Sequence, residues 1–240
     1  ELYLTGLHLE QYRHPTRSPL PYWAEALRRD PGDARVNLAL ARRDYRAGTY
    51  EEARLHAEAA VGRLSVRNER HRDTEAYYVL GLVLARLGDA DEAIRNFGRA
   101  GWDQGWAMAA GYETATIMAR RGDTARALAE AEALLAHGPE HPRLSALRVI
   151  LLRRLGRHSE ADALLRAARP HSRVDDMLSF LDDGVLPADG GLLLDLGLDL
   201  AAAGEESAAL AAWQKATVSA VAVSGNARPM AHYLRAALLE

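Results

Sequence analysis

Apolar and small residues return along this chain at i, i+3/i+4 and i+7 in successive blocks, and a glycine divides one block from the next. In the stretch from Thr74, the residues Tyr77, Leu80, Gly81 and Leu84 form one stripe, and Ala93, Phe97 and Ala100 form the next. That spacing belongs to amphipathic helices, since strands would alternate with a period of two. Gly88 separates the two stripes. Gly122 and Gly156 follow it at intervals of 34 residues, each with an alanine five residues on: Ala93, Ala127 and Ala161. A fixed period of this length marks stacked supersecondary units, each a pair of helices.

The period divides the chain into repeats over 34–73, 74–107, 108–141, 142–189 and 190–228. Residues 1–33 read as a partial, irregular repeat and 229–240 as the first helix of a truncated one. The neighbours of the clearest unit carry Leu40, Ala41, Gly48, Tyr50, Ala53 and Ala60; then Ala115 and Pro139; then Val149 and Ala168, the last unit running to Arg173. The most degenerate unit keeps Gly197, Gly204, Ala209, Trp213 and Ala216. Two units exceed the period. One gains six residues near Ser65–Asp73, and the other gains fourteen, including a short helix expected at Asp175–Leu181. The whole reads as an all-α array of about eleven or twelve helices in antiparallel pairs without a sheet. The start at Glu1 without Met, and the apolar finish Leu238-Leu239-Glu240, predict a piece of a longer protein.

At Leu80-Gly81, Ala93, Phe97 and Ala100 the chain resembles the tetratricopeptide repeat, whose pattern is W-x2-L-G-x2-Y, then A-x3-F-x2-A, then P. The Trp position is replaced by Asn37, Tyr77, Gly111, Ser145 and Leu193. The resemblance implies a right-handed α-solenoid with a concave face built from first helices. A second resemblance rests on Gly6-Leu7-His8-Leu9-Glu10-Gln11-Tyr12-Arg13-His14, on Ala26-Leu27-Arg28-Arg29-Asp30-Pro31, and on Gly101-Trp102-Asp103 with Trp106. These are similar to the repeat region of bacterial proteins that carry a β-rich, sugar-mutarotase-like domain before the repeats. It implies an accessory module of a carbohydrate-active protein.

Composition narrows the function. The apolar fraction of 48% is largely Ala and Leu, with only two Phe, which suits close helix packing. A net charge of −3 offers no global field for nucleic acid, and no apolar run approaches the roughly 20 residues of a membrane span. Cysteine is absent, which excludes disulfides and thiolate chemistry and suits a cytoplasmic protein.

Catalytic signals are missing. His137 and His141 are four apart, but Gly138-Pro139 breaks any helix between them, so they predict a turn and no metal site. No phosphate loop or nucleophile elbow is present. The expectation is a non-enzymatic chain without metal or cofactor.

The first helices carry the candidate partner site. Their inward positions hold Arg35, Arg42, Tyr45 and Arg46, then Tyr78 and Arg86, then Tyr112 and Arg120, then Arg143, Arg153 and Arg154, with Ala146 and Ile150 between. Favourable placement against the helix dipole accounts for Arg46, Arg86, Arg120, Arg153 and Arg154, but not for Arg35, Arg42 or Arg143. Of the 30 basic residues only Lys215 is lysine, and Arg forks suit carboxylates. The sequence therefore predicts a scaffold whose basic concave groove takes a protein or peptide, in particular an acidic one, or another domain of the same protein. Neither nucleic acid nor a membrane is expected as partner.

Overall fold

The computed structural model describes residues 1–12, 14, 16–66, 68, 73–138, 141–168, 175–219 and 226–239. Arg13, Pro15, Pro139, Arg173, Glu240 and most of the six-residue insertion lie outside the described residues. The described chain is helical: α1 Leu2–Gln11, α2 Leu20–Arg29, α3 Ala34–Ala47, α4 Tyr50–Ser65, α5 Glu75–Arg86, α6 Ala90–Ala100 and α7 Gln104–Arg120. Then follow α8 Thr124–His137, α9 Pro142–Arg154, α10 His158–Ala168, α11 Asp176–Asp183, α12 Gly190–Ala202, α13 Glu206–Val218 and α14 Ala227–Leu239. Among the described residues there are fourteen helices, where eleven or twelve were expected, and no strand. Five regular pairs with the expected α11 and α14 make twelve, and the excess comes from α1 and α2, both of which form in residues 1–33.

The helices gather into two compact units, Glu1–Glu113 and Thr114–Glu240, with the boundary inside α7. In the first, α1 packs on α2, α3 on α4 and α5 on α6, with α4 against α5. In the second, α8 packs on α9, α9 on α10, α12 on α13, and α14 on both α12 and α13.

One turn recurs within the pairs. Gly48, Gly88, Gly122, Gly156 and Gly204 all have positive φ, between 73° and 85°. At each, the glycine N–H bonds to a carbonyl three residues back and the following N–H to one five residues back, as in Gly122 to Ala119 and Asp123 to Met118. This double bond satisfies the orphan carbonyls of a helix end, and the left-handed backbone it needs is costly for any residue with a Cβ. The residue after each glycine then opens the next helix. Its carbonyl accepts from the amide of Ala53, Ala93, Ala127, Ala161 or Ala209. All five alanines have 0% exposure, so the turn and a buried small-residue position of the next helix are specified together.

Small-to-large complementarity joins the paired helices. A Cβ on Gly81 of α5 would stand 2.7 Å from the Phe97 ring of α6. Gly6 of α1 and Gly197 of α12 stand in the same relation to Trp23 of α2 and Trp213 of α13, with no room for a Cβ. Both indoles also donate a hydrogen bond to the carbonyl three residues before the glycine, Trp23 to Tyr3 at 3.3 Å and Trp213 to Leu194 at 3.2 Å. The α1–α2 pair thus shares the internal packing of the later pairs.

The fourteen-residue insertion contributes α11. Asp175 caps it, accepting from the Leu178 amide at 2.8 Å, and Gly184 ends it with φ of 73°. Its Met177, Leu178 and Leu181 are buried, and it packs on α9, α10 and α12.

Candidate functional site

In the first unit, three successive first helices bring together Tyr45 of α3, Tyr78 and Arg86 of α5, and Trp106 of α7. The Tyr78 ring stacks on Trp106 with centroids 4.8 Å apart and also meets Phe97 at 5.7 Å. The Arg86 Nε–H donates to the Tyr45 hydroxyl at 3.4 Å, and Tyr45 packs on Tyr50 at 5.8 Å. Burial, reinforced by Glu113 and Tyr45, pushes the Tyr78 phenol up to about 12. The hydrogen bond to Tyr45, with lesser help from nearby acidic groups, raises the already high Arg86 value. Tyr78 and Trp106 are half-buried while Arg86 is exposed. Rings held this way offer flat apolar area at little entropic cost, beside a planar cationic fork.

Tyr112 lies half-buried on the same α7. The remaining candidates of this unit are positioned by carboxylates. Arg42 donates to Glu75 at 2.7 Å, and Arg46 donates to Glu10 at 2.7 Å. Arg35 sits elsewhere, at the start of α3. It pairs with Asp33 at 3.3 Å and covers the Tyr3 ring at 5.2 Å.

The second unit holds the other three. Arg143 of α9 pairs with Asp199 of α12 at 3.3 Å, and Arg153 approaches Asp162 of α10 at 3.9 Å. Arg120 is exposed and lies beside Gly204, in the α12–α13 turn. Ala146 and Ile150, expected along the groove, are buried at 0% and 3% exposure in the core around α9, on which α11 packs. The inward face of α9 is therefore not an open wall. Arg154 braces the fold. It donates to the Ala119 carbonyl at 3.1 Å, to the Ala203 carbonyl at 2.7 Å and to Glu205 at 2.7 Å.

These pairings narrow the expected excess of positive charge, because Arg35, Arg42, Arg46, Arg143 and Arg153 all face a carboxylate of the chain itself. Glu10 and Glu75 were not singled out from the sequence. Glu75 could have been, since an acid at the second position of one unit lies 33 residues after a base in the unit before it. Trp106 is part of the aromatic cluster, while Trp102 is 42% exposed and meets Tyr77 edge-on.

The two histidines of the α8–α9 turn serve helix ends. His137 Nδ1–H donates to the Ala133 carbonyl and His141 Nδ1 accepts from the Leu144 amide. Among the described residues no three His, Cys, Asp or Glu side chains converge as metal ligands, and no helix is long and apolar enough to cross a membrane.

The tetratricopeptide repeat pattern matches residues 38–106 and 112–173. The fold is similar to that of a tetratricopeptide repeat protein from Parabacteroides merdae, at 17% identity and a TM-score of 0.60, covering 100% of this chain and 83% of that one. PilW, a widely conserved type IV pilus biogenesis factor, is 18% identical with a TM-score of 0.55, over 89% of this chain and 88% of its own. YrrB, a repeat protein with an unusual peptide-binding site, is 16% identical with a TM-score of 0.50, over 88% of this chain and 97% of its own. At such identities the likeness concerns the fold. With the repeat pattern matched over more than half of its residues, the chain belongs to the tetratricopeptide repeat family.

Proposed function

We propose that this chain is a non-enzymatic interaction scaffold that binds a peptide or an extended segment of a partner protein. The observation that carries the reading is the Tyr78–Trp106 stack, flanked by the Tyr45–Arg86 hydrogen bond, on three successive first helices of one unit. Rigid, half-exposed aromatic rings next to an arginine are what peptide-binding surfaces use as anchors, because they bury area without losing many rotamers. Arg86 makes no ion pair among the described residues, so its fork can meet a carboxylate or carbonyl of the partner. The peptide-binding site of YrrB, a protein of similar fold, supports the reading as an analogy only.

A phage-displayed peptide library tests it. Selected peptides should bind the protein and lose about tenfold in affinity, roughly 1.4 kcal/mol, when Tyr78 and Trp106 are both replaced by Ser. A library that yields no binder, or binders indifferent to that double substitution, overturns the reading. Calorimetric binding of an oligosaccharide in place of peptides would move the function to carbohydrate recognition and to the accessory-module alternative.

A further inference from the structure

A second concavity of the first unit is lined by none of Tyr45, Tyr78, Arg86 or Trp106. It is a cleft of about 920 Å³ between the end of α1, the connection from α1 to α2, and the C-terminal half of α3. Arg17 lines it from the connection, and Arg42, Arg43 and Arg46 line it from α3. Glu10 is the one carboxylate among its described lining residues. Among the described residues four guanidinium groups thus line the cleft, against Glu10 inside it and Glu75 paired with Arg42, in a chain whose net charge is −3. Positive charge is concentrated here against the sign of the whole molecule.

The arginines are held in different ways. Glu75 and Glu10 fix Arg42 and Arg46 through single contacts of 2.7 Å, one from Nη1 and one from Nη2. Each fork has five N–H donors, so most remain to be directed into the cleft while the ion pair holds its orientation. The side chains of Arg17 and Arg43 make no hydrogen bond or ion pair among the described residues. His14, also on the cleft, adds a donor. Its Nδ1 accepts from the amides of Thr16 at 3.3 Å and Arg17 at 3.1 Å, which leaves its proton on Nε2.

We propose that this cleft is an oxyanion-binding site that receives the carboxylate side chains of an acidic segment in the bound peptide. The proposal rests on the peptide-binding reading and names the chemistry of the partner. Charge-assisted bonds from forks already oriented cost little reorganisation, and several converge on one place. Glu10 competes with the incoming carboxylate for Arg46. The site is therefore occupied in part by the chain's own acid, and removing that acid strengthens binding.

The test uses fluorescein-labelled hexaglutamate, with hexaglutamine as its neutral counterpart, followed by fluorescence anisotropy. Hexaglutamate should bind, hexaglutamine should not, and the affinity should fall steeply between about 50 and 300 mM salt. The Arg17→Gln/Arg43→Gln double variant should lose about tenfold in affinity, and Glu10→Gln should gain severalfold. Circular dichroism should show the double variant folded, since the side chains of Arg17 and Arg43 make no hydrogen bond or ion pair among the described residues. Equal affinity for the two peptides, or a parental affinity in the double variant, overturns the proposal. Library-selected peptides that depend on Tyr78 and Trp106 but ignore Arg17 and Arg43 would do the same while leaving the scaffold reading intact. Hexaglutamate binding that depends on these arginines, in a protein that selects no library peptide, would uphold the cleft and sink the aromatic site.

Discussion

The Trp213 indole fills the place where a side chain on Gly197 would have to go. The two residues lie on facing helices, α12 and α13, and the indole N–H reaches past the glycine to the Leu194 carbonyl. Alanine at position 197 would gain about 1 kcal/mol of helix propensity but would overpack the crossing at a cost of roughly 1–3 kcal/mol. Gly197→Ala should therefore lower the urea midpoint. Trp213→Phe should lose about 0.5–1.5 kcal/mol for the missing hydrogen bond, plus a packing term. A raised midpoint for Gly197→Ala would mean that α12 and α13 are farther apart than described.

Ala127 of α8 has 0% exposure at the start of its helix, where the chain has just turned at Gly122. Ala127→Leu should destabilise by roughly 1–3 kcal/mol, because the crossing has no space for three more carbons. Thermal melts of the purified variant measure it.

Two glycines close in sequence should respond oppositely to the same change. Gly88 has φ of 85°, so Gly88→Ala forces a Cβ into the left-handed region and should cost about 1–2 kcal/mol. Gly98 lies inside α6, and nothing stands within 4 Å of a Cβ built on it. Gly98→Ala should stabilise by about 0.5–1 kcal/mol through helix propensity alone. Denaturant titrations of the pair check the signs against each other.

The Tyr78 phenol holds its proton to about 12 in the folded chain, chiefly because burial disfavours the phenolate. An unfolded tyrosine releases its proton near pH 10. Between those values the folded state binds the extra proton, so the contribution of Tyr78 to stability is whole below about pH 10 and is lost as the pH rises toward about 12. An ultraviolet titration should show a late phenolate that Tyr78→Phe abolishes, and that variant should lose stability less steeply in the same range.

The glycine, alanine and aromatic positions of the repeat were legible from sequence because each answers a local demand. The demands are a left-handed turn at Gly88, a tight crossing at Ala93 and a ring facing Gly81. Even Trp213 could be placed in the core by its register. The charge partners were less accessible. Arg46 meets Glu10 across 36 residues, and Arg42 meets Glu75 across 33, contacts set by how neighbouring helices stack. Ala146 and Ile150 were assigned to an open wall because the period says nothing of what packs around an interrupted unit. The cleft was missed for a related reason. Arg43 falls beside the positions counted as inward, and His14 and Arg17 belong to a connection that has no counterpart in the repeat.

Arg154 changes how the second unit should come apart. Nearest-neighbour stacking makes a repeat array behave as a one-dimensional chain that frays from its ends, and an interruption such as α11 would ordinarily be where such a chain parts. From the end of α9, Arg154 reaches the carbonyls of Ala119 and Ala203 and the carboxylate of Glu205, contacts 35 to 51 residues away in sequence. One side chain thereby ties the elements before the interruption to those after it, so that α9, α12 and α13 open in amide exchange as one cooperative block and not as links released in turn.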